Sequence, residues 1–179
     1  MNALLSERKT AICDKWLDEV LRTYPADTSS FLHKRNNRFD NPVGYIIRES
    51  IEALLEKFVN GAESSELATP LEDIIRIRAV QDFSPSDGVS FVFSLKTVIR
   101  EELGEALFNG LPKEEVVALE SRIDDLVLLS FDIFMKLRER IYELKVNEAK
   151  RSVSFLLDRA NEMYERRDRE SAPATTTDA

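Results

Sequence analysis

From Lys113 to Asp168 the chain contains neither proline nor glycine. An unbroken helix over that run would measure roughly 84 Å at the α-helical rise. A compact domain of this size has a radius of gyration of only about 13 to 15 Å. Such a helix therefore has to break or leave the domain. Apolar residues occupy nearly every face between Ile123 and Leu137 and thin out to Ile141 and Leu144. They return out of phase at Ala149, Val153, Leu156, Ala160 and Met163, which predicts a kink or turn near Lys145 to Arg151. Ile123, Val127, Ser130, Phe134, Leu137, Ile141 and Leu144 also keep the alternating four- and three-residue steps of a coiled-coil seam. Two readings fit: one face of a core helix, or a dimer interface carried by Val127, Phe134, Leu137, Ile141 and Leu144.

Upstream of that run the chain is punctuated by prolines in one recurring context. Asn41-Pro42, Thr69-Pro70 and Ser84-Pro85 each place a capping side chain before a proline. At the first helical position the missing N–H of proline costs nothing. Glu72 and Asp87 sit where a capping box would have its acid. Pro112 opens a fourth helix after a turn at Gly110, although Leu111 is a poor cap. A first helix is expected over residues 3 to 23, with Ile12, Trp16 and Val20 on its apolar stripe. Tyr24-Pro25 ends it, because the residue before proline is pushed out of the helical region. An irregular segment around Ser29 to Asp40 and a polar loop over residues 61 to 69 complete the plan, with Gly61 as a left-handed stop. Strand-like alternation is absent and glycine is scarce, so the fold class is all-α. The expected division is a helical domain over residues 1 to 145, a helical extension over 146 to 169 and a disordered tail over 170 to 179.

Charge and composition narrow the function classes. The net charge of −8 argues against generic nucleic-acid binding and against an anionic membrane surface. No stretch suits a signal peptide or a transmembrane helix, so a cytoplasmic protein is expected, with no membrane insertion. Cys13 is the single cysteine and falls in step with Leu17, Val20 and Tyr24, as a buried thiol would. His33 is the single histidine, within the basic segment HKRNNR, and reads as a surface residue of a docking patch. No nucleotide-binding, nucleophile-elbow or zinc-protease motif occurs. No catalytic residue, metal site or cofactor is expected, and the chain is not expected to be an enzyme.

The charges that call for explanation lie between Leu71 and Leu103. Leu71, Ile74 and Ile75 define one helical face, and Arg78 and Asp82 fall within it, with Gln81 at its edge. Val89, Val92, Ile99 and Leu103 define a second face, with Lys96 at its centre. Burying such groups unpaired costs several kcal/mol. They form either an internal network, for example Arg78 with Asp82 one turn on, or a small pocket where Arg78, Gln81 and Lys96 meet an anionic or polar ligand.

Two segments, NPVGYIIRESIEALLEKFVNG and IRIRAVQDFSPSDGVSFVFSLKTVIREEL, resemble the N-terminal domain of RsbR-type stressosome co-antagonists, RsbRD in particular. The resemblance covers about residues 5 to 145. It implies a globin-like, haem-less helical bundle that dimerises, and a sensory or protein-interaction module in signal transduction and stress response. Residues 67 to 109 hold no histidine to ligate haem. Full-length relatives of that kind carry a STAS domain, which is lacking here, so a stand-alone sensor is expected. Its partners would be a second copy of itself and a regulatory or redox protein. The alternative is a structural adaptor or accessory subunit of a metabolic or redox complex, with no ligand.

Overall fold

The computed structural model describes residues 1–33, 38–81 and 83–171, and their side chains except at 105, 107–109 and 168–171. Among the described residues every regular element is a helix. They are α1 (Asn2–Glu7), α2 (Lys9–Arg22), α3 (Ala26–His33), α4 (Pro42–Val59), α5 (Ser64–Val80), α6 (Pro85–Asn109) and α7 (Lys113–Ser171). The chain divides into two compact units, Met1–Arg138 and Glu139–Ala179, and α7 begins in the first and continues into the second.

Three expected helix starts are present, the one at Pro112 displaced by a single residue so that α7 begins at Lys113. Asn41 accepts the Gly44 N–H at 3.0 Å while its amide donates to Phe31 O and Leu32 O, so one side chain closes α3 and opens α4. Ser84 Oγ accepts the Asp87 N–H at the head of α6. Thr69-Pro70 is not a start. A capping box between Glu63 and Glu66 initiates α5 at Ser64, and Pro70 lies inside the helix. The expected loop over 61 to 69 is therefore mostly helical. An internal proline deprives the carbonyl four residues back of its amide partner. Here that carbonyl is Glu66 O, and the Lys57 ammonium donates to it at 3.1 Å.

Gly61 is the expected stop, at φ 78°, with the Ala62 N–H donating to Lys57 O and the Gly61 N–H to Phe58 O. That pair of bonds is a Schellman closure of α4. A second left-handed glycine, Gly104 at φ 47°, interrupts α6. The first expected helix is split at Arg8, whose φ of −100° and ψ of 7° separate α1 from α2. Part of the segment expected to be irregular is helical, as α3. The break expected near Lys145 to Arg151 is absent: those residues continue α7. Their side chains are strong helix formers without glycine or proline, and a change of apolar phase alone does not break a helix.

The core of the first unit is built from one stripe per helix. Ile12, Trp16 and Val20 of α2 and Ile47, Ile51, Leu54 and Leu55 of α4 are all 0% exposed. Leu71, Ile74 and Ile75 of α5, Val92 and Leu95 of α6 and Phe134 of α7 are equally buried. The Trp16 indole N–H donates to Phe91 O at 2.7 Å and its ring stacks on that of Phe91, fixing α2 against α6.

Candidate functional site

Among the described residues Arg78 is the one charged side chain buried in the first unit, at 0% exposure. It sits on the apolar face of α5 because Leu71, Ile74 and Ile75 turn that face inward. Its guanidinium donates to Asp87 O at 2.9 Å, to Val20 O at 3.2 Å and to Thr23 Oγ1 at 2.5 Å. Its planar group lies 4.9 Å from the ring centres of Phe83 and Phe91 and 5.5 Å from that of Tyr24. No carboxylate hydrogen-bonds to it among the described residues. Arg78 Nε and the Tyr24 hydroxyl are buried, and among the described residues neither has a hydrogen-bond partner. The charge is instead spread over carbonyls and π faces, which suits a delocalised guanidinium better than an ammonium. Burial lowers the Arg78 pKa from its ordinary value, opposed by Tyr24 and then Asp87. Burial raises that of Tyr24, opposed by the Arg78 charge.

The three residues expected to form a ligand pocket have separate surroundings. Arg78 is enclosed by aromatic rings, and its expected pairing with Asp82 lies outside the described residues. Gln81 is exposed at the end of α5. Lys96 is half-buried and donates to Asp124 of α7 at 2.7 Å. One turn on, Arg100 pairs with Glu120, so α6 and α7 run antiparallel and are laced by ion pairs at this level. The position of Lys96 on an apolar face is thus accounted for by an acid on the facing helix. His33 is exposed at the end of α3, with Nδ1 3.7 Å from Asp18, and residues 34 to 37 of its basic segment lie outside the described residues.

Two arginines that sequence reasoning missed do similar work. Arg122 donates to Phe58 O at 2.6 Å with its guanidinium 4.5 Å from the Phe58 ring centre. Arg138 donates to Ala79 O at 2.8 Å. Val20, Phe58 and Ala79 lie in the last turns of α2, α4 and α5. Arg78, Arg122 and Arg138 therefore each bring positive charge to a helix C-terminus, where unsatisfied carbonyls concentrate negative potential.

The residues expected to form a dimer seam divide into two groups. Val127 and Phe134 are 8% and 0% exposed, inside the first unit, and a methyl group added at Gly88 would lie 2.6 Å from Phe134 Cδ2. Leu137 and Ile141 are half-buried, and Leu144 is 63% exposed. The first half of the seam is a core face because α6 already covers it. On the flank of the same helix, beside that buried face, Leu128 and Phe131 are 66% and 44% exposed, and Phe93 of α6 is 50% exposed. The ion pairs joining residues 96 to 124 and 100 to 120 set Phe93 level with Leu128 on the neighbouring helix.

A groove of about 240 Å³ lies between α2 and α4, lined by Lys9, Cys13, Asp14, Glu52 and Glu56 among others. Cys13 is half-buried rather than fully buried. Burial, followed by the Glu52 and Asp14 charges, pushes its thiol from 9.0 up to about 11. The thiolate is the reactive form, so at pH 8 Cys13 is expected to alkylate with iodoacetamide roughly a hundredfold more slowly than an unperturbed thiol. Labelling followed by mass spectrometry measures this, and a rate equal to that of glutathione would refute it. Because the folded value is raised, this group favours the folded state below about pH 9. That contribution is lost as the pH climbs through about 11. Among the described residues no group of three or more histidine, cysteine or acidic side chains is placed to hold a metal.

A family model described as the RsbT co-antagonist protein rsbRD N-terminal domain matches residues 10–148. A protein of Archaeoglobus fulgidus described as uncharacterized is 23% identical over 157 residues, covering 84% of this chain and 89% of the relative. No solved structure matches the chain significantly.

Proposed function

The chain belongs to the rsbRD N-terminal domain family, and from that premise we propose that it is a non-enzymatic regulatory module acting through contacts with other proteins. The observation that carries this reading is the exposed apolar surface of α6 and α7, where Phe93, Leu128 and Phe131 face solvent. Single exposed apolar residues are ordinary, but a patch spanning two antiparallel helices marks a contact surface. A second copy of the chain is the proposed occupant, giving a homodimer whose interface lies on the flank of α7 beside Val127 and Phe134. The bundle is read as globin-like and haem-less, its interior taken by Trp16, Phe58, Phe91 and Arg78, each at most 1% exposed. Its setting is a stress-response pathway in the cytoplasm. Among the described residues no helix is long and apolar enough to cross a membrane. A small polar ligand at Arg78, Gln81 and Lys96 draws no support from their separate surroundings, and the proposal does without one.

Replacing Leu128 and Phe131 together by glutamate is expected to yield a folded monomer. Both side chains are exposed, so the fold has no need of them. Light scattering would read the mass and circular dichroism the helix content. A parent protein that is already monomeric, or a double variant that still dimerises, would remove this interface.

A further inference from the structure

The second unit leaves an apolar stripe of α7 in solvent. Val146, Ala149, Val153, Leu156, Ala160 and Met163 follow alternating three- and four-residue steps, the spacing of a coiled-coil seam. Val146, Val153, Leu156 and Met163 are 50%, 56%, 63% and 61% exposed. The stripe extends for roughly 26 Å along the helix, long enough for a partner helix to lie against it.

The charges beside it are sorted by sign. Over residues 145 to 166 the positions flanking the seam hold Lys145, Lys150, Arg159 and Arg166, together with Ser152, Leu157 and Tyr164, and no acid. Arg151, Asp158 and Glu165 lie on the far side of the helix, with Glu148 and Glu162 beside them, so the acids of the stretch are kept away from the seam edges. Lys145, Lys150, Arg159 and Arg166 are all exposed.

Three occupants compete for such a surface, and the residues discriminate among them. A second copy of the stripe sets like charges together in either direction. Paired in parallel, Lys145 faces Lys150; paired antiparallel, the edge with Lys145, Arg159 and Arg166 meets itself. Like-charged edges oppose pairing. A bilayer interface rewards bulk on the apolar side, whereas two of the six seam positions are alanine. Small residues between valine and leucine leave holes that the knobs of a packing helix fill.

We propose that residues 145 to 166 are a docking surface for a helix of another protein whose apolar seam is edged by acidic residues. This deepens the reading of the chain as a protein-contact module and rests on it. Net attraction along both edges would align the partner, and the alanine holes would set its register.

The full chain would be titrated into two labelled helical peptides that share a leucine seam, one edged with glutamate and the other with lysine. Fluorescence anisotropy would read binding, and phosphatidylglycerol vesicles would serve as a third probe. The glutamate-edged peptide is expected to bind at least about tenfold more tightly at low salt, with the preference shrinking as salt rises. Lys150→Glu with Arg159→Glu leaves two basic and two acidic residues on the edges and is expected to erase the preference, and Leu156→Asp to abolish binding of both peptides. These positions are exposed, and circular dichroism would verify that the variants keep their helix content. Equal binding of the two peptides would overturn the acidic-edge assignment while leaving a contact role for the helix. Binding of neither would overturn the docking surface itself. Vesicle binding with no peptide binding would assign the stripe to lipid and likewise overturn the proposal. Self-association of the first unit is read separately by light scattering, so failure of one reading is distinguishable from failure of the other.

Discussion

Arg78→Ala is expected to destabilise the first unit by about 2 to 4 kcal/mol, read from urea unfolding followed by circular dichroism. The substitution empties a fully buried side-chain volume and leaves Val20 O, Asp87 O and Thr23 Oγ1 without their guanidinium donor. It also strips a cation from three aromatic rings. Against these losses stands one gain, since an ionised group to which no carboxylate hydrogen-bonds among the described residues no longer has to be desolvated. That gain is why the expected loss stays below the upper range for buried-group deletions. Two further variants separate the contributions. Arg78→Met fills most of the space and removes the charge, so it is expected to be milder than alanine. Arg78→Lys keeps the charge but lacks the planar fork and the stacking, so it is expected to be worse than methionine. If lysine proved better tolerated than methionine, the charge itself would be what the site requires, and the account of a dispersed guanidinium would fail.

Gly88→Ala should cost about 2 to 3 kcal/mol even though alanine is the better helix former. The added methyl would overlap Phe134, which is fully buried and has nowhere to turn. Phe134→Leu on its own should also destabilise, by removing ring volume from the core. Combined, the two changes should cost less than their sum by at least about 1 kcal/mol, because each relieves the defect of the other. Strict additivity in the double-mutant cycle would mean that the two residues do not share a space. Phe134→Glu goes further, placing a carboxylate in that interior, and the expected result is loss of folding rather than a folded monomer. A folded monomer would restore Phe134 to a dimer interface.

The helix starts that could be read in the chain are those whose cap and proline met no rival. Asn41-Pro42 and Ser84-Pro85 follow loops. Thr69-Pro70 carries the same local signal but lies seven residues into a helix begun by Glu63 and Glu66. The defect made by Pro70 is repaired by Lys57, on a different helix, and no local pattern reveals such a donor. The seam from Ile123 to Leu144 shows a related limit. Periodicity identifies an apolar face but does not say whether its cover comes from the same chain. At Phe134 the cover is Gly88 of the same chain, across 46 positions of sequence.

Arg78 could be picked out as misplaced, and an internal network was one of the two readings open for it. Its acceptors were not legible, because backbone carbonyls carry no mark in a sequence. The same holds for Arg122 and Arg138, which look like ordinary surface residues until the ends of α4 and α5 are seen beside them. Lys96 was equally recognisable as out of place, while Asp124 became its partner only through the antiparallel course of α6 and α7.

Arg138 is also the last residue of the first unit. Its bond to Ala79 O means that the C-terminus of α5 is completed from the far end of that unit. For fragment design the boundary follows directly. A piece trimmed to residue 137 keeps nearly every core side chain yet leaves α5 with an open end, whereas one residue more supplies its cap. The fragment end that keeps this cap is therefore set by a hydrogen-bond donor rather than by where the apolar core runs out.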